Sequence, residues 1–169
     1  MAARLLPYAI AAVVFLADRV TKALIERHVS VWDTYTVIPG FFDIIHSENP
    51  GAAFSLFANA HSEWRTFFLV GIAAGALVLI AVLLWNPRGR LGDSRLLRAA
   101  LSLILGGAAG NLYDRVVRGT VTDFLDFYIG DVHWPAFNVA DSAITIGAVL
   151  VLLDVVLSRR PAEHRVEKA

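Results

Sequence analysis

Phe67-Phe-Leu-Val-Gly-Ile-Ala-Ala-Gly-Ala-Leu-Val-Leu-Ile-Ala-Val-Leu-Leu-Trp85 is a run of 19 residues without a charge. About 20 such residues, wound as a helix, cross the roughly 30 Å of hydrocarbon in a bilayer. Three weaker blocks flank it in the chain. Residues 5–17 are uncharged and extend, with charges, to Ile25. Residues 99–113 are uncharged and begin near Leu96. Residues 137–158 carry only Asp141 and Asp154. Together they predict a mainly α membrane protein with four transmembrane helices, at about 5–25, 65–85, 96–114 and 137–158, in a single domain covering 1–169.

Composition agrees. The chain is 57% hydrophobic and 18% charged, with a mean hydropathy of +0.60. Soluble domains hold about a quarter charged residues. A formal net charge of zero gives no electrostatic support for nucleic acid. With no cysteine, disulfides, thiolate metal sites and cysteine nucleophiles are excluded. Asp18, Arg19 and Lys22 stand where a signal peptide would need small residues, so the first block is read as a retained helix.

The connections give an orientation. Arg4, the turn with Arg88, Arg90, Arg95 and Arg98, and the tail with Arg159, Arg160, Arg165 and Lys168 fall on one side of a four-span protein. The positive-inside rule makes that side cytosolic and puts both termini there. Residues 26–63 are acid-rich, which fits the outer face, although Arg115 and Arg118 oppose the trend in the outer loop 114–136. Within an outer β segment at about 31–56, Tyr35-Thr-Val-Ile and Phe41-Phe-Asp-Ile-Ile flank Pro39-Gly40 and predict two short strands around a turn. A helix is expected to begin around 59–63.

Against this background two carboxylates are costly. Asp141 opens the last apolar run, and Asp123 lies 18 residues earlier, so both fall near the outer interface. Two carboxylates that meet share a proton, and a shared proton supports acid–base chemistry. Asp154, 13 residues past Asp141, lies about 20 Å further along a helix and is read as an interfacial carboxylate near Arg159. Asn138 and Asp141 are spaced to share a helix face, as are Gly107, Gly110, Asn111 and Asp114. Gly106 and Gly110 form a GxxxG pair, as do Gly71 and Gly75, and such pairs are read first as packing. Asp114 and Arg115 either join a site or cap the helix and face water. Asp18 and Lys22, at i and i+4, read most simply as an interfacial ion pair. Lys22 could instead serve a Ser55 nucleophile. The histidines (His28, His46, His61, His133, His164) have no metal-ligand spacing, and no metal or cofactor is expected.

Five blocks, in order, resemble the bacterial lipoprotein signal peptidases, the signal peptidase II family. They are Asp18-x-x-x-Lys22, Asn49-x-Gly51-Ala52-Ala53-Phe54, Gly106-Gly-x-x-Gly-Asn111-Leu-x-Asp114-Arg115, Val121-x-Asp123-Phe124 and Phe137-Asn138-x-Ala140-Asp141-Ser142. The resemblance implies four transmembrane helices with a small extracytoplasmic β-sheet cradle. It also implies an intramembrane aspartic endopeptidase of the bacterial inner membrane, with its active site near the outer face. The implied substrates are diacylglyceryl-modified prolipoproteins, cut just before the lipidated cysteine, and the implied surroundings are membrane phospholipid. Asp123 and Asp141 would be the catalytic pair. Asn49, Gly51, Asn111, Arg115 and Asn138 would bind substrate, and Asp18, Lys22 and Asp114 would support the site. A monomer is expected. Pro50 and Glu48 depart from the family pattern, and Glu48 is expected to face the headgroups. The rival readings are a small proton-coupled transporter using the same carboxylates, a helical scaffold, and a Ser/Lys peptidase.

Overall fold

A computed structural model of the chain describes residues 2–51, 62–85 and 94–158. Ser55, residues 52–54 of the Asn49 block, the helix start expected at 59–61, Arg88, Arg90 and the basic tail lie outside the described residues. The elements run α1 (Ala2–His28), β1 (Thr34–Ile38), β2 (Phe42–Asn49), α2 (Ser62–Trp85), α3 (Arg95–Arg118), β3 (Val121–Ile129), β4 (Val132–His133) and α4 (Val139–Ser158). The protein is mainly helical with one small antiparallel sheet. Among the described residues three helical stretches are long and apolar enough to cross a membrane: Phe67–Trp85, Arg95–Arg118 and Val139–Ser158. α1 has the length, at 27 residues, but carries Asp18, Arg19, Lys22, Glu26 and Arg27.

α3 is the central helix and packs against α4, α1 and α2. Small residues allow the close approach. A side chain at Gly106 would collide with the Ala11 carbonyl of α1, and one at Gly107 with the Ala140 carbonyl of α4. Gly71 and Gly75 of α2 have nothing within 4 Å, so the second GxxxG pair is not a packing seam among the described residues.

The ends of α3 are set locally. Ser94 is its N-cap and accepts a 3.1 Å hydrogen bond from the Leu97 amide. The same hydroxyl donates to Asp154 Oδ1, so Asp154 is bound at the α3 start. Arg159, the partner expected from sequence, lies outside the described residues. Gly119 closes the other end with φ +79°, its amide donating to the Arg115 carbonyl at 3.1 Å. The chain turns there directly into β3.

The strands are ordered β1-β2-β3-β4, each pair antiparallel. The Pro39-Gly40 turn forms as expected, with Gly40 at φ +76°. Residues 114–136, read from sequence as an outer loop, instead hold the last turn of α3 and both β3 and β4. Two aspartates within Val121-Thr-Asp-Phe-Leu-Asp-Phe-Tyr-Ile lower the strand propensity of a segment otherwise rich in β-formers. Pairing with β2 supplies the missing stability: Ser47 lies opposite Asp123, and Asn49 opposite Val121.

β3 also fixes the entry to α4. The Phe124 and Leu125 amides both donate to the Phe137 carbonyl, at 3.0 and 2.9 Å, and the Phe137 amide returns a 3.2 Å bond to the Leu125 carbonyl. The Phe127 ring stacks on Phe42 at 4.6 Å and on Phe137 at 5.7 Å. Residue 138 is thereby held against residue 123.

Candidate active site

Four elements meet where the sheet joins the helices. Asp123 comes from β3, Asp141 from the first turn of α4, Asn111 from α3 and Asn49 from the end of β2. Asn138, just before α4, joins the two carboxylates. Its Nδ2 donates to Asp123 Oδ1 at 2.7 Å, while its Oδ1 accepts the Asp141 amide at 2.9 Å. Its own backbone amide donates to Asp141 Oδ2 at 3.3 Å. Each carboxylate then has a separate asparagine: Asn49 Nδ2 lies 3.0 Å from Asp123 Oδ2, and Asn111 Nδ2 lies 2.7 Å from Asp141 Oδ1.

Asp123 is 3% exposed. Burial, reinforced by the charge of Asp141, pushes its pKa up to about 6. The Asn49 and Asn138 hydrogen bonds and the Lys22 charge act the other way without cancelling it. Burial dominates because a carboxylate removed from water loses most of its solvation, and two neutral amides restore only part of it.

Behind Asn111 stands a buried ion cluster. Lys22 Nζ lies 2.9 Å from Asp18, 2.8 Å from Asp114 and 2.9 Å from Asn111 Oδ1. Lys22, Asp18 and Asp114 are fully buried. Arg19 pairs with Asp114 as well, its guanidinium 4.5 Å from the centre of the Tyr113 ring. Asp18 Oδ1 accepts the Ala140 amide at 3.0 Å, so a carboxylate of α1 caps the start of α4. The ion pair that the sequence suggested for Asp18 and Lys22 forms, buried where α1, α3 and α4 meet. Asp114 and Arg115, left open between site and helix cap, both turn inward.

Arg115 Nη2 donates to the Gly51 carbonyl at 3.0 Å, and the Gly51 amide donates to Asn49 Oδ1 at 2.9 Å. This pins the turn after β2 beside the site. Glu48 is exposed and accepts from Thr120 at 3.2 Å, so it points away from both aspartates. The sequence gave Arg19 no part in the site, and it did not reveal the Glu26–Arg118–Thr122 group that ties α1 to the ends of α3 and β3. Only Glu26 and Arg118 being opposite in charge hinted at that tie, and their 92-residue separation hides it.

The sequence model of signal peptidase (SPase) II matches residues 10–157, nearly the whole of this arrangement. The chain belongs to the signal peptidase II family. It is 55% identical over 160 residues to a lipoprotein signal peptidase of Solibacter usitatus (strain Ellin6076), covering 93% of this chain and 94% of the relative. A lipoprotein signal peptidase of Yersinia pseudotuberculosis serotype O:1b (strain IP 31758) is 45% identical over 154 residues, covering 91% of this chain and 87% of the relative. Two solved bacterial membrane enzymes, both determined by the in meso method, share the fold. The 2.3 Å structure superposes with a TM-score of 0.80 at 29% identity over 94% of each chain. The 1.9 Å structure gives 0.77 at 30% identity, over 89% of this chain and 92% of the other. Membership in a signal peptidase II family makes this a membrane-embedded peptidase, in keeping with the apolar helices.

Proposed function

We propose that the chain is an intramembrane aspartic endopeptidase that removes the signal peptide from diacylglyceryl-modified prolipoproteins, cutting before the lipidated cysteine. The observation that carries this reading is Asn138, which holds Asp123 on one side of its amide and Asp141 on the other. In this reading Asp141, at a helix N-terminus that favours negative charge, is ionised. Asp123, whose pKa is raised to about 6, is the member that holds the proton below that pH. The ionised carboxylate takes a proton from water, and the oxygen attacks the scissile carbonyl. The protonated partner polarises and protonates the carbonyl oxygen. Collapse of the diol returns that proton to Asp123, and Asp141 passes its own to the leaving amine. Asn49, Gly51 and Arg115 line the substrate's approach, and Asn111 and Asn138 hold the carboxylates while contacting substrate backbone.

α1 completes a set of four spans, because its Asp18 and Lys22 are hidden from lipid by their mutual pairing. Both termini then face the cytosol, the sheet lies outside the inner membrane, and acyl chains stay in lipid while the peptide bond reaches the polar edge. The monomer contains every group named.

The test uses the membrane-extracted protein with one precursor in two forms, diacylglyceryl-modified and unmodified. Shortening of the modified form alone is the expected result. Equal cleavage of both would remove the lipid selectivity, and cleavage of neither would remove the function.

The same chemistry sets a pH dependence. Asp123 must keep its proton, so the alkaline limb of kcat/KM falls as pH rises through about 6. Asn49 donates to the ionised form and therefore lowers that pKa. Asn49→Ala should move the alkaline limb of kcat/KM to higher pH. A limb that stays in place or moves down would disconnect Asp123 from it.

A further inference from the structure

We infer that Lys22 is a positioning residue for the carboxylate pair: by fixing which way the Asn111 amide faces, it makes Asn111 a donor to Asp141. The inference rests on the proposed roles of Asp123 and Asp141. An asparagine amide has a donor end and an acceptor end of nearly equal shape, and its surroundings choose between two orientations. The Lys22 ammonium is a donor only: it donates to Asn111 Oδ1 at 2.9 Å and is ion-paired with Asp18 at 2.9 Å and Asp114 at 2.8 Å. Turning Asn111 over would set its NH2 against the ammonium and its carbonyl against the Asp141 carboxylate. Both contacts would be repulsive, and burial of Lys22 and Asn111 leaves little solvent screening to soften them. Asn138 Nδ2, 3.4 Å from the same Asn111 oxygen, reinforces the choice. The remaining orientation delivers the 2.7 Å bond from Asn111 Nδ2 to Asp141 Oδ1.

Packing does not require this cluster. Buried ion pairs seldom outdo apolar residues in stability, so a fully buried Lys22 needs another return, and here it is orientation. Charge reaches this point from four elements: Asp18, Arg19 and Lys22 from α1, Asp114 and Arg115 from α3, Asp123 from β3, and Asp141 from α4. Among them only Lys22 bonds Asn111 Oδ1 as a cation. Lys22 has no hydrogen bond or ion pair with either catalytic carboxylate; beyond its longer-range charge on Asp123, it acts one amide away.

The experiment is a double-mutant cycle on the full chain, with a diacylglyceryl-modified precursor as substrate and gel filtration in detergent to confirm folding. Lys22→Gln can donate or accept, so it frees Asn111 to turn. It should lower kcat by about 10- to 100-fold, the scale of a misplaced catalytic group, with KM within about threefold. In an Asn111→Ala background the same change should cost less than about threefold, because its effect passes through Asn111. Equal losses in both backgrounds would reduce Lys22 to a general structural role and overturn the inference. If Lys22→Gln does not fold, Lys22→Arg decides. It keeps a donor-only cation, and kcat within about tenfold of the parent is expected from the folded protein. A folded Lys22→Arg that has lost turnover entirely overturns the inference. Failure of the carboxylate roles themselves is separable, because active Asp123→Asn or Asp141→Asn enzymes would reveal it.

Discussion

Asp123→Asn and Asp141→Asn, made separately, are each expected to reduce turnover of a lipidated precursor by about 10³-fold or more, the scale of losing a general acid or base that has no substitute. The fold should survive both changes. An asparagine at 123 still offers an oxygen to Asn138 Nδ2, now 2.7 Å from Asp123 Oδ1, and one at 141 keeps the backbone amide that donates to Asn138 Oδ1. Neither can cycle a proton. Because the two carboxylates act as one unit, the double variant should be little worse than either single one. Asp154→Asn is the matched control. Its carboxylate accepts from Ser94 at the far end of α4, about 20 Å away by helical rise, and an amide oxygen can accept the same bond. Its turnover should stay within about twofold of the parent, on the usual scale for a surface polar change. Near-normal turnover in either of the first two variants would end the aspartic reading. A large loss at Asp154 would mean that the far end of α4 participates.

How much of this was legible beforehand depended on whether the cause was local. A bilayer acts on composition, so Phe67–Trp85 declares itself residue by residue. The Pro39-Gly40 turn is likewise a matter of adjacent backbone angles. Strand β3 is different. Its two aspartates argue against a strand, and only pairing with β2 and the bridge from Leu125 to Phe137 overrule them. That bridge brings Asn138 to Asp123, so the link from Asp123 through Asn138 to Asp141 had no local signature. Lys22 shows the same limit. Its i,i+4 partner Asp18 could be read from spacing, but its bonds to Asp114 and Asn111 cross about 90 residues of sequence and depend on α1 lying against α3. Arg19 completes the cluster from the same helix face and had no sequence signal beyond its charge.

Gly110→Ala should be strongly damaging, while Gly71→Ala, drawn from an identical GxxxG spacing, should be harmless. Spacing alone cannot separate them. A Cβ at Gly110 would overlap the carboxylate of Asp18, 3.0 Å from its Cγ. Asp18 is short and doubly held, by the Ala140 amide at 3.0 Å and by Lys22 at 2.9 Å, so it cannot swing aside without releasing one of them. Release of the first uncaps the helix that carries Asp141; release of the second leaves buried charge unpaired. Breaking a buried ion pair costs about 3–5 kcal/mol. For a chain of this size that corresponds to a fall in Tm on the order of 10 °C, readable by tryptophan fluorescence during heating in detergent. Turnover should fall with it, because the start of α4 moves. At Gly71 a methyl group meets nothing within 4 Å, and replacing glycine by alanine inside a helix favours the helix by about 1 kcal/mol. Its Tm should be equal to or slightly above that of the parent. A Gly110→Ala protein with unchanged Tm would show that the Asp18 carboxylate is not held between α1, α3 and α4, and the buried cluster would then be too loose to orient Asn111.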